Sequence, residues 1–313
     1  MRRCLYCYQK LDAIQADFHP TCSKKMFDQP LAPVVPFSEL DIEPLALEVI
    51  QRHTVVTGVQ EKLSLHLTRQ NNNSKERRFT IVGLWGGYIL KPPTERYPQL
   101  PEVEDVTMHL ASAAKIKTAP HSLIRLTSDS LAYITKRIDR TPTGKLAMED
   151  MCQLTERPTE EKYNGSYEQI GKAIQKYSAT PGLDVVNFFE LVLFSFLVGN
   201  ADMHLKNFSL IEQPGLGMTL SPAYDLVNTA IVNPQDKEEM ALTVNRRKRK
   251  LTRSDFVAAM DTLHVDERQQ RNIFTKLESA LPAWMDRLDS SFLSDELKSQ
   301  YKRIIQIRLE RIC

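Results

Sequence analysis

The sequence predicts an α+β protein of two lobes, a β-rich first half and a helical second half, preceded by a small metal-binding module. Three observations carry that prediction. Metal-type side chains crowd into positions 4 to 22, alternating β-prone segments with turn signals fill residues 45–140, and from Ala147 onward apolar residues recur at helical spacing behind capping signals. An antiparallel sheet with one helix, followed by a mostly helical half, implies two layers of different kind with a cleft between them.

The bulk numbers exclude several classes. A chain of 313 residues with 42% hydrophobic and 26% charged side chains, mean hydropathy −0.34 and net charge +2 is an ordinary globular composition with no strong polyanion bias. "MRRCLYCYQK" lacks the apolar stretch of a secretory signal, and Val185–Gly199 is too short and interrupted to cross a membrane. The expectation is a cytoplasmic protein without membrane association, export as an effector being left open.

The first element, residues 1–27, reads C-x2-C-x11-H-x2-C over "CLYCYQKLDAIQADFHPTC". Two close pairs on short turns can present Cys4, Cys7, His19 and Cys22 tetrahedrally, as zinc requires, and so short a segment has little else to fold around. Four protein ligands leave no open position, so the metal is expected to be structural. The competing reading is a flexible leader with scattered thiols. Residues 28–44 hold four prolines and read as a connector.

Residues 45–140 form the first lobe. "KLSLHLTR" alternates, "NNNSKERR" is a polar turn, and "RFTIVGLWGGYILKPP" continues as strands broken by Gly86 and Gly87. "LPEVEDVTMHLASAAKI" is a helix with Val103, Val106, Leu110, Ala111 and Ala114 on one face, and "SLIRLTSDSLAYITKRID" is a further hairpin. Residues 141–313 form the helical lobe, in which Asp184 is expected to cap the apolar helix 185–198.

Chemistry concentrates after that helix. In "NADMHLKNFSL", Asp202 and Asn207 stand five apart, the offset at which a protein-kinase loop carries its base and a metal-binding amide. Asp225 in "LSPAYDLVN" offers a second metal-binding carboxylate. Lys91 at the end of "GGYILK" and Glu104 on the next helix are placed as a phosphate-binding lysine and its acidic partner, with Glu102 and Asp105 as rivals for that partner role. Taken singly, each has a plainer reading as a cap, turn or solvated residue. Their order and separation favour the chemical one, although neither G-x-G-x-x-G nor D-F-G occurs.

Together with "TGVQEKLSL", "LKP" and "EDMCQ", these segments resemble the HipA family of bacterial serine/threonine kinases, toxins of toxin–antitoxin pairs. The resemblance runs from about residue 50 onward, and the short region ahead of it is more like the compact HipT type. It implies a two-lobed kinase using ATP and Mg²⁺, with Asp202 as catalytic base and Asn207 and Asp225 as Mg²⁺ ligands. Lys91 would hold the α/β-phosphates beside Glu104. Gly58, Val59, Gln60, Glu61 and Lys62 would form the loop over the nucleotide, and Lys136 and Ile138 would present backbone groups to adenine. His204 and Lys206 match the motif, as organisers of the loop or as contacts to the γ-phosphate, the latter suiting Lys206. It further implies autophosphorylation just before the loop glycine, at Thr57 or, further out, Thr54; Val55 stands where the family has a serine. Implied partners are a protein substrate of the aminoacyl-tRNA synthetase class, a separate HipS-like antitoxin and a HipB-like DNA-binding protein, DNA being met only through such a complex. The basic run "NRRKRKLTR" at 245–253 reads first as a solvated loop and second as a contact for nucleic acid or an acidic partner. Two other functions stay in play: a small-molecule phosphotransferase, and a non-catalytic zinc, nucleic-acid or protein-binding module on the same fold.

Overall fold

The computed structural model describes residues 2–12, 17–41, 44, 62–69, 77–82 and 86–312. The chain divides into two compact units, the first Met1–Asp105 with Ala119–Ile138 and Ser290–Phe292, the second Val106–Thr118, Asp139–Asp289 and Leu293–Cys313.

The first unit is built on a five-stranded antiparallel sheet of order β2-β1-β3-β5-β4, with β1 Leu63–Arg69, β2 Arg77–Ile81, β3 Tyr88–Lys91, β4 His121–Arg125 and β5 Leu131–Lys136. Period-two alternation fixes the register: Leu63 faces Leu90, Leu65 faces Tyr88 and Ile81, and Leu67 faces Phe79. The expected hairpin turn between β1 and β2 lies outside the described residues. Helix α1, Pro20–Phe27, starts with proline at its first position and ends on Asp28 in the left-handed conformation (φ 60°), whose N–H bonds back to the Lys24 carbonyl. The segment carrying α1 shares one core with the sheet: Leu5, Phe18, Met26 and Phe27 are buried together with Leu65, Phe79 and Leu123. Its backbone is stitched to β4, where the Leu5 carbonyl accepts from Ser122 Oγ at 3.1 Å and from the Leu123 N–H at 3.4 Å.

Helix α2, Leu100–Ala113, is the helix expected over this stretch, and the division between units falls within it. In the second unit Trp284 Nε1 donates to the Leu110 carbonyl at 2.9 Å, and Thr107 is hydrogen-bonded to Tyr301 at 2.8 Å.

The second unit is mainly helical. A three-stranded sheet of order β10-β9-β8 joins β8 Met148–Asp150, β9 Ser209–Gln213 and β10 Gly217–Leu220, and β6 and β7 (Arg140–Thr141, Gly144–Lys145) form a short hairpin. The helices are α3 Met151–Leu154, α4 Tyr167–Tyr177, α5 Pro181–Leu197, α6 Thr229–Val232, α7 Arg253–Asp261, α8 Glu267–Ser279, α9 Leu281–Asp289 and α10 Asp295–Glu310. Helix α5 is apolar nearly all round, and Val185, Phe188, Val192, Phe194 and Phe196 are at most 3% exposed, so it is the helix around which this unit packs. It begins earlier than expected. Pro181 occupies its first turn behind Thr180, because proline's fixed φ suits helix entry, and Asp184 sits inside the helix. The Asp184 carboxylate instead accepts from Ser178 Oγ, Thr180 Oγ1 and the Leu220 N–H, tying the helix start to β10. The 245–253 run is a tied-down loop: Asn245 Nδ2 donates to Asp255, Lys248 pairs with Glu238 at 3.3 Å, and Arg247 lies 3.9 Å from Asp255. Among the described residues no helix is long and apolar enough to cross a membrane.

Helix α5 stops at Gly199, whose φ of +80° is a left-handed conformation that a side chain resists. A Cβ there would come within 2.6 Å of Asn228 Oδ1, which already accepts from the Ile231 N–H. Gly199→Ala should therefore destabilise the fold by about 2–3 kcal/mol. A lowered urea midpoint with unchanged slope checks this; a midpoint equal to wild type would mean that the turn relaxes.

Candidate functional site

In the first unit the chemistry gathers at the end of β3. The Lys91 ammonium lies 2.5 Å from Glu104 Oε1, with the two residues 4% and 2% exposed. It also stands 5.5 Å from the centre of the Tyr133 ring, a cation–π contact. Of the three acidic residues on α2 that sequence offered, Glu104 is the one that meets Lys91. Asp105 is engaged by Tyr8 (2.6 Å) and His121 (2.8 Å), and burial pushes the Glu102 carboxyl up to about 7. The Lys136 N–H donates to the Pro120 carbonyl at 2.9 Å and its ammonium to Asp28 at 2.7 Å. That leaves the Lys136 carbonyl, approached by Thr135 Oγ1 at 3.4 Å, as its backbone group for a ligand. Ile138 closes this part of the unit, and Lys62 is described at the lead into β1. Gly58, Val59, Gln60, Glu61, Thr57 and Thr54 lie outside the described residues.

In the second unit the loop after Gly199 tightens into a single 3-10 turn, Leu205–Asn207. Some of its N–H groups bond within the loop, Asp202 N–H to Asn200 Oδ1 at 3.1 Å and His204 N–H to the Asp202 carbonyl at 2.8 Å, while Leu205 N–H reaches the Lys162 carbonyl at 3.1 Å and Ala201 N–H reaches Thr229 Oγ1 at 2.8 Å. Asn207 Nδ2 donates to the Asp202 carbonyl at 2.9 Å. Only the amide nitrogen can donate to a carbonyl, so Asn207 Oδ1 is the atom left for a cation. Asp202 Oδ1 accepts from the Tyr163 hydroxyl at 2.6 Å, leaving Oδ2 for another donor. Asp225 acts electrostatically on Tyr163, His204 and Tyr224, and its own backbone is left-handed at φ 58°. His204 is 6% exposed; burial lowers its pKa, and its ring meets Tyr163 edge-on at 5.0 Å. That environment favours the neutral imidazole.

Three residues here escaped the sequence reading. Asp150, inside the quoted "EDMCQ", caps α3 by accepting from the Gln153 N–H and holds the Lys206 ammonium at 2.9 Å. Tyr224, in the residue before Asp225, donates to the Lys206 carbonyl at 3.0 Å. Its proton is therefore spent, and Ser209 Oγ, 2.5 Å away, donates to the phenol oxygen. Burial, then the bond to Asp202, raises the Tyr163 pKa, so its proton stays on the hydroxyl. The first two lay in motifs already singled out; Tyr163 sits in a polar loop with no pattern to flag it.

The four proposed zinc ligands come together. The donor atoms of Cys4, Cys7, His19 and Cys22 lie within 4.8 Å of one another, with His19 Nδ1 3.4 Å from Cys7 Sγ and 3.8 Å from Cys22 Sγ. His19 Nε2 is 3.0 Å from the Lys10 carbonyl, so its proton belongs there and the Nδ1 lone pair is turned to the thiols. Burial, then the nearby Cys4, pushes the Cys22 thiol up to about 12, a cost that a bound divalent cation reverses by stabilising thiolates. Three sulfurs and one oriented imidazole fit zinc.

The family model described as the HipA-like C-terminal domain matches residues 54–285. The chain is 34% identical over 208 residues to Y4dM of Sinorhizobium fredii, named a kinase by inference, an alignment covering 62% of this chain and 49% of that one. It is 29% identical over 196 residues to the serine/threonine-protein kinase toxin HipA of Shewanella oneidensis, covering 55% of this chain and 42% of HipA. The chain thus spans about half the length of these curated relatives. Among solved structures, the Shewanella oneidensis complex of HipA, HipB and operator DNA matches with TM-score 0.69 at 21% identity, over 90% of this chain and 72% of that one. The Helicobacter pylori proinflammatory kinase CtkA matches with TM-score 0.56 at 12% identity, over 80% and 93%. The fold is therefore of the kinase-like kind these two proteins share.

Proposed function

The chain belongs to the HipA-like C-terminal domain family, and from that premise we propose that it is an ATP-dependent protein kinase acting on serine or threonine, the toxin of a toxin–antitoxin system. The observation that carries the reading is the buried Lys91–Glu104 pair, 2.5 Å long. Burying two charges is expensive, and a chain that keeps such a pair beside a strand end has a use for a fixed ammonium. In this reading Lys91 orients the α- and β-phosphates, Glu104 holds Lys91, and the Lys136 carbonyl and Ile138 meet adenine. Asn207 Oδ1 and Asp225 hold Mg²⁺, which neutralises phosphate charge when bound. Asp202 receives the acceptor hydroxyl at Oδ2, because Tyr163 occupies Oδ1. Lys206, anchored on Asp150, fixes the loop's direction and stands by the γ-phosphoryl group.

Gly58–Lys62 cover the nucleotide, and Thr57, then Thr54, are the autophosphorylation sites. Phosphate there would place about −2 charge beside the nucleotide's own. Zinc on Cys4, Cys7, His19 and Cys22 is structural. The substrate is a translation component such as an aminoacyl-tRNA synthetase, and the controlling partners are a HipS-like antitoxin and a HipB-like DNA-binding protein, which alone would bring the complex to DNA. The relatives' names support the kinase part; the partner reading leans on the HipA–HipB–DNA complex.

Incubating the purified chain with Mg-ATP labelled in its γ-phosphoryl group and a cell extract tests this. Label on serine or threonine of a protein supports the kinase. Label only on an added small molecule would favour a metabolite phosphotransferase, and no label on anything would leave a non-catalytic binding module.

A further inference from the structure

One tyrosine in the metal knuckle has a conformation that needs a reason. Tyr8 directly follows Cys7, has φ 67° and is 2% exposed. A bulky residue in the left-handed region is a genuine outlier, and such positions persist only when the surroundings hold them. Its N–H closes the knuckle turn on the Cys4 carbonyl at 2.9 Å, so the backbone at Tyr8 is set by the two ligand cysteines. Its side chain runs inward, and the hydroxyl donates to Asp105 Oδ2 at 2.6 Å.

Asp105 neighbours Glu104 on α2, and the contacts form a ring. Asp105 Oδ1 meets His121 Nδ1 at 2.8 Å, His121 stacks on Tyr133 with centroids 6.1 Å apart, and Tyr133 lies under the Lys91 ammonium, which returns to Glu104. Every member is at most 5% exposed, so a shift at one position has no solvent-filled slack to dissipate into. The knuckle meets this ring through the Tyr8–Asp105 hydrogen bond.

We infer that the Cys4/Cys7/His19/Cys22 knuckle governs nucleotide binding through Tyr8 and Asp105, which act as positioning residues for the Lys91–Glu104 pair. This rests on the nucleotide and zinc readings proposed above. With metal in place the turn holds Tyr8, Tyr8 holds Asp105, and the first turns of α2 present Glu104 to Lys91. Without it the ion that draws Cys4 and Cys7 together is gone, and the turn that carries Tyr8 loosens, weakening the tie to α2. The metal is then more than a staple for a short segment: its occupancy sets whether the ammonium is aimed at phosphate.

The test compares the zinc-loaded full chain, the same chain after chelation, Tyr8→Phe, which removes only the hydroxyl, and Asp105→Asn. Three quantities are read: bound zinc, Mg-ATP affinity, and amide exchange of residues 100–105. Tyr8→Phe should keep its zinc and its melting temperature within a few degrees, yet bind Mg-ATP about tenfold more weakly and exchange faster at the start of α2. Chelated wild type and Asp105→Asn should move the same two readouts in the same direction. Tyr8→Phe indistinguishable from wild type, or zinc removal without effect on α2 exchange, overturns the inference. A zinc-loaded wild type that binds no Mg-ATP overturns the nucleotide reading itself, and the exchange data then decide alone whether the knuckle steers α2.

Discussion

Asp202→Asn is expected to lower phosphoryl transfer by about 10³-fold, the scale of losing a general base, while Mg-ATP affinity and melting temperature stay near wild type. The local hydrogen bonds explain the separation. Asn207 holds the backbone carbonyl of Asp202, so a side-chain change leaves that bond in place. The Asp202 N–H remains on Asn200, and the Tyr163 hydroxyl can donate as well to an amide oxygen as to a carboxylate. What disappears is the second carboxylate oxygen, the only one not already satisfied by Tyr163. Single-turnover transfer to the label-accepting protein measures the loss. Retention of more than about a tenth of the wild-type rate would move the base elsewhere.

The second large effect lies in the first unit. Lys91→Met should cost about 3–5 kcal/mol of stability, because it strands a buried carboxylate, and should abolish Mg-ATP binding. Glu104 is 2% exposed, and the Lys91 ammonium 2.5 Å away is a charge that offsets its burial. The double variant Lys91→Met/Glu104→Gln should recover most of the stability and none of the binding, since removing both charges also removes the reason for burying either. Urea unfolding and nucleotide titration on the two variants give the answer. A single variant as stable as wild type would mean water reaches the site freely, and a double variant that still binds would take Lys91 out of the nucleotide site.

Sequence reading found what short-range spacing encodes. The Cys4/Cys7/His19/Cys22 cluster came from two pairs separated by two residues, the sheet from alternation in "KLSLHLTR" and "YILK", and the candidate loop residues from the Asp202–Asn207 offset. It also named Glu104 ahead of its rivals, but spacing alone left Glu102 and Asp105 beside it, because three acidic residues within one helical turn differ only in direction. The structure separates them by what each touches. What sequence missed is long-range. Tyr8 and Asp105 are 97 positions apart, Lys206 and Asp150 are 56, and Tyr163 and Asp202 are 39, and no local pattern joins any of these pairs. Asp184 shows a different failure. A lone acid before an apolar run reads as a cap, whereas Pro181 had already opened the helix and freed Asp184 to reach β10.

Position 225 carries a further consequence. The left-handed backbone there, φ 58°, is one that glycine adopts at no steric cost and aspartate at about 1 kcal/mol. A change to glycine there would relieve the backbone, at the cost of a more flexible unfolded chain, and would delete the proposed metal ligand in the same step. In the proposed reading, backbone ease and metal binding therefore pull against each other at a single residue.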